Sequence, residues 1–187
     1  MTHRLLGFAD GENLVHRFQD MCKDGRKPKP EVIHVKDVLV WHPEIMLSFY
    51  SDVTRVSYYQ TVVGDEMKLQ EVKQRICDVS YSYDYSSSTE NDQWRGSLFP
   101  RVFKKEGKSS KSKSVDINLT VDMMRYAAST QIDVLFLLSG DGDYLPLIEE
   151  LGRHGKQVWL GAFSKGLNKN LRFAADEFID LDALFFE

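Results

Sequence analysis

Cysteine is scarce in this chain, and long apolar runs are absent. The 187 residues include only Cys22 and Cys77, with no C-x-x-C spacing, which argues against a disulfide scaffold or a cysteine-rich zinc module. No segment approaches the roughly 20 consecutive apolar residues that a membrane helix needs. The N-terminal residues also lack the layout of a signal peptide. We therefore expect a cytoplasmic protein with reduced thiols and no membrane partner.

Positive charge is also limited. The chain has 24 Lys and Arg against 28 Asp and Glu, which gives a formal net charge of −4. A polyanionic partner would therefore have to be held by a local basic patch or through a metal ion. Apolar residues make up 42% of the chain and charged residues 28%, as in ordinary globular proteins, and the length suits one domain with its own core.

Helical and strand-like segments alternate along the chain. Strands are predicted near residues 4–9, 54–63, 98–103, 133–138, 156–162 and 177–181, and helices near 13–22, 66–79, 144–154 and 168–174. Asn13 is the expected cap of the first helix. A further helix is predicted from one apolar face at helical spacing, formed by Ile117, Val121, Met124 and Ala128. This alternation predicts an α/β fold, with a mostly parallel sheet covered by helices on both sides.

The segment at about residues 80–113 has a different composition. Residues 80–92 hold three tyrosines and a run of three serines but no aliphatic side chain, and residues 104–113 are basic and polar. We predict a loop or insertion here, within a single domain that spans residues 1–187. Its lysines either contact backbone phosphates through charge alone or form a solvated surface run. They are Lys104, Lys105, Lys108, Lys111 and Lys113.

Carboxylates follow two of the predicted strands. Asp10 ends the first strand, Asp141 and Asp143 come directly after the apolar run 134–138, and Asp116 begins the helix before that run. Open α/β folds place their sites at the carboxyl edge of the sheet. Carboxylates gathered there repel one another unless a cation lies between them, so we predict a hard divalent metal such as Mg²⁺. Such a metal would serve phosphodiester hydrolysis.

Each acid also has a purely structural alternative. Asp143 could cap the helix that follows it, and Asp116 could be an acid favoured by the helix dipole in a first turn. Residues 10–13 could form an ordinary turn and cap. Asn13 and Ser139 could hold the acids through hydrogen bonds, or could be simple cap and turn residues.

Asp122 ranks below the other acids. It lies six residues after Asp116, which places it about 240° around the helix. We expect it to pair with Arg125 at i+3 on the surface.

The segment 139–147 (SGDGDYLPL), together with 8–13 (FADGEN), resembles the NYN domain, a branch of the PIN-like nuclease superfamily that includes LabA-type proteins. Further matching motifs lie at 115–122, 155–159 and 171–181, so the resemblance covers most of the chain. It implies a Rossmann-like three-layer α/β/α sandwich and a ribonuclease that depends on magnesium or manganese. The implied catalytic and metal-binding residues are Asp10, Asp116, Asp141 and Asp143, with Asn13, Ser139 and Asp122 in support.

The sequence thus supports a metal-dependent ribonuclease acting on single-stranded or structured RNA. The alternative is a non-catalytic RNA-binding or regulatory module that keeps its acids for structure or for metal-linked stability. A small-substrate phosphoesterase is a third hypothesis, although the first strand lacks the Asp-x-Asp of haloacid-dehalogenase enzymes. No P-loop motif is present, which argues against an ATPase of that class. Both a monomer and a homo-oligomer are compatible with the sequence.

Overall fold

A computed structural model of the chain describes residues 3–84, 93–105 and 114–187. The strands are β1 (Arg4–Asp10), β2 (Ile33–Val35), β3 (Leu39–Trp41), β4 (Asp52–Val62), β5 (Ser80–Asp84), β6 (Gln93–Ser97), β7 (Phe99–Lys104), β8 (Val134–Leu138), β9 (Gln157–Ala162) and β10 (Glu177–Asp180). Six of them form a parallel sheet in the order β10-β9-β8-β1-β4-β7. The pairs β2–β3 and β5–β6 form separate antiparallel hairpins.

Helices cover both faces of this sheet, so the predicted α/β sandwich is confirmed. They are α1 (Gly11–Lys23), α2 (Glu66–Cys77), α3 (Ser114–Ala127), α4 (Leu145–Arg153), α5 (Lys169–Ala174) and α6 (Asp182–Phe185). The core of one face includes side chains of α1, α2 and α6, and the core of the other includes those of α3, α4 and α5. Among the described residues, no helix is long and apolar enough to cross a membrane.

Strand β8 shows why the sheet lies at the centre of the molecule. Its side chains alternate between the two cores, with Val134, Phe136 and Leu138 on the α1 side and Leu135 and Leu137 on the α3 side. All five are fully buried. A central parallel strand must be apolar on both faces, so this run carries no polar residue until it leaves the sheet at Ser139.

The segment at about residues 80–113 contains more regular structure than its composition predicted. Ser80–Asp84 is strand β5, paired with Gln93–Ser97, and β7 ends at Lys104. The prediction of a loop is therefore wrong for Ser80–Asp84, because aromatic side chains pack well on a pleated strand even when aliphatic residues are absent. The predicted strand near 98–103 is present as β7. Tyr81, for example, is buried in the α1-side core. Residues 85–92 and 106–113 lie outside the described ranges, together with Lys108, Lys111 and Lys113.

The predicted buried face of α3 is also wrong. The side chains that enter the core belong to a neighbouring stripe, at i, i+4, i+8 and i+12: Val115, Leu119, Met123 and Ala127. Ile117 and Val121, from the predicted face, are 59% and 40% exposed. The helix carries two apolar stripes, and periodicity alone does not decide which one packs against the sheet. Because Val115 is buried, the next residue, Asp116, lies at the margin of the core and is only partly exposed.

The junction of β1 and α1 differs from the prediction in its cap. Asp10, rather than Asn13, is the N-cap residue, and its Oδ1 accepts a hydrogen bond from the Asn13 backbone N–H at 3.1 Å. Gly11 follows directly, where a Cβ atom would clash with the Tyr58 ring and the Tyr59 carbonyl oxygen. A glycine is therefore needed for the chain to turn from strand to helix in one residue.

Candidate acidic site

Two neighbouring strands deliver the first acids to the carboxyl edge of the sheet. Strands β1 and β8 are paired in parallel with Ala9 opposite Leu138, so the next residues, Asp10 and Ser139, leave the sheet side by side. The Ser139 hydroxyl donates a hydrogen bond to Asp10 Oδ2 at 3.0 Å. The parallel register thus brings together residues that are 129 positions apart in the chain.

Hydrogen bonds of Asn13 and Ser139 hold the loop after β8 against α1. Asn13 Oδ1 accepts a hydrogen bond from the Gly140 N–H at 3.1 Å, and the Asp141 N–H donates to the Ser139 hydroxyl at 3.2 Å. Asn13 and Ser139 therefore both make hydrogen bonds that fix the two strand ends. Asp141 in turn caps a short 3-10 turn by accepting from the Asp143 N–H at 3.0 Å.

Asp10 is an unusual carboxyl group because it is almost completely buried, with 3% of its surface exposed. Its pKa is raised to about 7, mainly by burial; the hydrogen bonds from Asn13 and Ser139 act to lower the pKa, and the negative charges of Asp116 and Glu12 act to raise it. A carboxylate in this position is destabilised unless positive charge approaches it.

Asp116 lies in the same electrostatic field. Burial raises its pKa, the Tyr144 hydroxyl lowers it by donating to Oδ1 at 3.2 Å, and the charges of Asp141, Glu12 and Asp143 raise it again. The fold therefore brings all four predicted acids, with Glu12 in addition, close enough to repel one another.

Among the described residues, no cationic side chain forms an ion pair with the four predicted acids. Within residues 3–84, 93–105 and 114–187, none of the ion pairs includes Asp10, Asp116, Asp141 or Asp143. The carboxylate of Asp143 is exposed and does not cap α4, so that structural alternative is wrong. The turn-and-cap alternative does hold for residues 10–13, where Asp10 is the cap, and Asp141 also caps a helical turn, which the sequence did not predict.

The arrangement offers oxygen donors without forming a closed cage. In the described parts of the chain, no group of three or more His, Cys, Asp or Glu side chains is placed to hold a metal ion. The donor chemistry nevertheless fits a hard divalent cation, because every candidate ligand is a carboxylate and the carboxylates repel one another. Mg²⁺ keeps several of its waters and is often held by only one or two carboxylates.

Asp122 has different surroundings from the other acids. Its side chain is 14% exposed, and Oδ2 accepts from Arg101 Nη2 and from the Tyr59 hydroxyl, each at 2.8 Å. The predicted pair with Arg125 is present at 3.4 Å. The predicted surface position is wrong, because Tyr59 and Arg101, from β4 and β7, enclose the carboxylate.

Comparison with known proteins assigns the family. The family model described as the NYN domain matches residues 7–182. The chain belongs to the NYN domain family. This family is a branch of the PIN-like nuclease superfamily. A crystal structure of a protein of unknown function from Vibrio parahaemolyticus is similar to this NYN domain in fold, with a TM-score of 0.60 and 16% identity over 100% of this chain and 97% of that chain. No curated protein matches the chain.

The acidic site of this NYN domain includes two residues that sequence reasoning missed. Glu12 accepts a hydrogen bond from the Thr61 hydroxyl and lies 3.9 Å from Lys105 Nζ, while its charge acts on Asp10 and Asp116. Tyr144 is buried and orients Asp116. Both lie within two residues of a predicted acid in the sequence, and this proximity was the signal that could have indicated their role.

The two described lysines of the basic segment lie near this edge. Lys104 ends β7 and is exposed, and Lys105 is half-buried beside Glu12. Because β7 runs parallel to β1, its end lies at the same edge of the sheet as Asp10.

Proposed function

We propose that this NYN domain is a ribonuclease that depends on Mg²⁺ or Mn²⁺ and hydrolyses phosphodiester bonds of single-stranded or structured RNA. The observation that carries the proposal is the difference in charge compensation among the acids. Asp10, Asp116, Asp141 and Asp143 share one edge and form no ion pair within the described residues, whereas Asp122 has two arginines. Membership of a nuclease superfamily makes RNA hydrolysis the natural use of such an edge.

In this proposal, Asp10, Asp116, Asp141 and Asp143 hold the ion. When bound, the ion would lower the pKa of a water and neutralise charge on the phosphodiester.

The residues around these acids fix their orientation. Ser139 and the Asn13 backbone N–H hold the two oxygens of Asp10, so its carboxylate does not rotate freely. The Tyr144 hydroxyl holds Asp116, and Asp141 is held at its loop by the Asp143 N–H.

Lys104 and Lys105 would contact the RNA backbone at the same edge, and Lys108, Lys111 and Lys113 would extend this contact from residues outside the described ranges. Lysine contacts to phosphate release counterions and need no particular base sequence. The net charge of −4 opposes RNA, so these local cations and the metal would supply most of the attraction.

The test compares the wild type with Asp141→Asn on labelled RNA in the presence of Mn²⁺, with and without EDTA. We expect cleavage by the wild type only, abolished by EDTA. Asp78→Asn is the matched control, since it removes one carboxylate from the exposed C-cap of α2 and should cleave like the wild type. Equal cleavage by Asp141→Asn and the wild type would reject the proposal.

A non-catalytic RNA-binding module is the second candidate. The capping roles of Asp10 and Asp141, and the lack of a closed acidic cage among the described residues, favour it. RNA binding without cleavage in either Mg²⁺ or Mn²⁺ would support this module over the nuclease.

A further inference from the structure

Arg17 is a charged side chain that has no hydrogen-bond acceptor among the described residues. It makes no ion pair or side-chain hydrogen bond with any described residue, and its Nε is buried from solvent without a partner. An unsatisfied buried donor costs free energy, and more so when it carries charge. Several other arginines of the described chain form ion pairs, such as Arg153 with Glu150 at 2.8 Å. Arg17 therefore retains its capacity to bind an anion.

The guanidinium of Arg17 packs against the loop that follows β9. A Cβ atom added at Gly166 would clash with Arg17 Cζ and Nε, so the two groups are in direct contact. Lys165, the neighbouring cation, is already paired with Asp24. Arg17 thus remains the unpaired cation where α1 meets this loop, as far as the described residues extend.

The same loop borders the acidic site. The Asn168 N–H donates to the Gly140 carbonyl at 3.1 Å, and a Cβ atom at Gly140 would lie 3.3 Å from Leu167 Cα. Gly140 also binds Asn13, which precedes Arg17 by one helical turn, about 6 Å along the axis of α1. Arg17 is therefore placed beside the loop of Asp141 while forming no ion pair with any carboxylate there.

We propose that Arg17 is a positioning residue that binds a backbone phosphate of the RNA next to the phosphodiester at the acidic site. This inference rests on the proposed function. The planar guanidinium can bind a phosphate through two parallel hydrogen bonds, and the phosphate would supply the acceptor that Arg17 lacks. Arg17 on the α1 side and Lys104 on the β7 side would then bind the RNA backbone at two points, on either side of the acids.

The test measures RNA affinity in Ca²⁺ as a function of salt concentration, using a short labelled single-stranded RNA and fluorescence anisotropy. We expect Arg17→Gln to weaken binding about tenfold, in line with the loss of one charge-assisted contact. The slope of log K against log [salt] should fall in magnitude by about 0.7, the value for one phosphate contact on a single strand. Arg17→Lys should keep the slope and lose only part of the affinity.

Arg153→Gln is the matched control, because it removes the same charge from the end of α4 that is remote from the acids. It should bind RNA like the wild type. Gly166→Ala is a second variant that keeps the charge and displaces the guanidinium. It should weaken binding as Arg17→Gln does, with some loss of stability because Gly166 has a φ of +80°.

A purely structural role of Arg17 predicts a different pattern. Arg17→Gln would then lower the melting temperature and leave both the affinity and the salt slope of the folded protein unchanged. If Arg17→Gln gave that result while the wild type cleaved RNA, the proposed role of Arg17 would be overturned and the proposed nuclease function would not. A wild type that neither binds nor cleaves RNA would instead overturn the proposed function and the role of Arg17 with it.

Discussion

Helix α3 carries two aspartates in contrasting surroundings. Asp122 is held by Arg101, Arg125 and the Tyr59 hydroxyl, so its charge is compensated within the fold. Asp116, less than two turns away, has the Tyr144 hydroxyl as its partner and is otherwise faced by carboxylates.

The comparison separates acids that stabilise the fold from acids that weaken it. A buried charge that lacks a counter-ion costs free energy, so its presence indicates a role outside stability. The region around Asp122 should therefore respond to mutation in stability, and the region around Asp10 and Asp116 in activity.

The sharpest contrast is between Asp141→Asn and Asp122→Asn. Asp141→Asn should lower RNA cleavage in Mn²⁺ by about a thousandfold, since it removes a proposed metal ligand, and should leave the melting temperature nearly unchanged. Asp122→Asn should retain most of its cleavage rate and lose about 1–2 kcal/mol of stability, because two arginines lose their partner. Single-turnover cleavage and chemical denaturation measure the two effects. The reverse pattern would contradict the comparison.

Asp10→Asn should abolish cleavage and at the same time stabilise the metal-free protein. The folded pKa of about 7 lies above the usual 3.8, so the folded protein holds a proton that the unfolded chain releases between these values. Wild-type stability should therefore fall as pH rises from about 4 to 7 and then level off. The gain for Asp10→Asn above pH 7 should reach a few kcal/mol, at most about 4.

Urea denaturation in EDTA at several pH values measures this dependence. A measurement near pH 3 is an internal control, because there the wild-type carboxyl is mostly protonated in both the folded and the unfolded state, and the two proteins should converge. If the free energy of unfolding of the wild type rose with pH over this range, relative to that of Asp10→Asn, burial would not be the dominant effect on the pKa of Asp10.

A matched pair of tyrosine variants tests the same contrast at smaller magnitude. Tyr144→Phe removes the hydroxyl that orients Asp116 and should lower kcat about tenfold with little change in KM. Tyr59→Phe removes the hydroxyl bound to Asp122 and should cost about 1 kcal/mol of stability with kcat retained. If both variants changed kcat equally, the two ends of α3 would not be functionally distinct.

The smallest expected effect concerns Lys104. Because its side chain is exposed at the end of β7, Lys104→Gln should weaken RNA affinity only about threefold, with the loss largest at low salt. Lys23→Gln, at the remote end of α1, removes the same charge and should have no effect. Anisotropy titrations at two salt concentrations check this. An equal loss in both variants would indicate general charge repulsion rather than a contact at the site.

The sequence predicted the parts of the site that lie at the ends of strands. Asp10 and Asp141 follow apolar runs, and parallel strands bring such residues to one edge. The contacts of Tyr144 with Asp116 and of Arg101 with Asp122 could not be predicted, because both depend on how α3 packs.

The errors in the fold have the same origin. Residues 80–84 form a strand through pairing with β6, and the buried stripe of α3 is selected by the sheet surface rather than by the helix. Local patterns define candidate elements, and tertiary packing decides between two stripes of similar apolar character.

Crystals soaked in Mn²⁺ and measured near the manganese absorption edge test the central claim most directly. We expect an anomalous difference peak bound by carboxylate oxygens from Asp10, Asp116 and Asp141 or Asp143, and no such peak in Asp141→Asn crystals. Well-ordered carboxylates without a peak, at a Mn²⁺ concentration that saturates any effect on melting, would contradict the account.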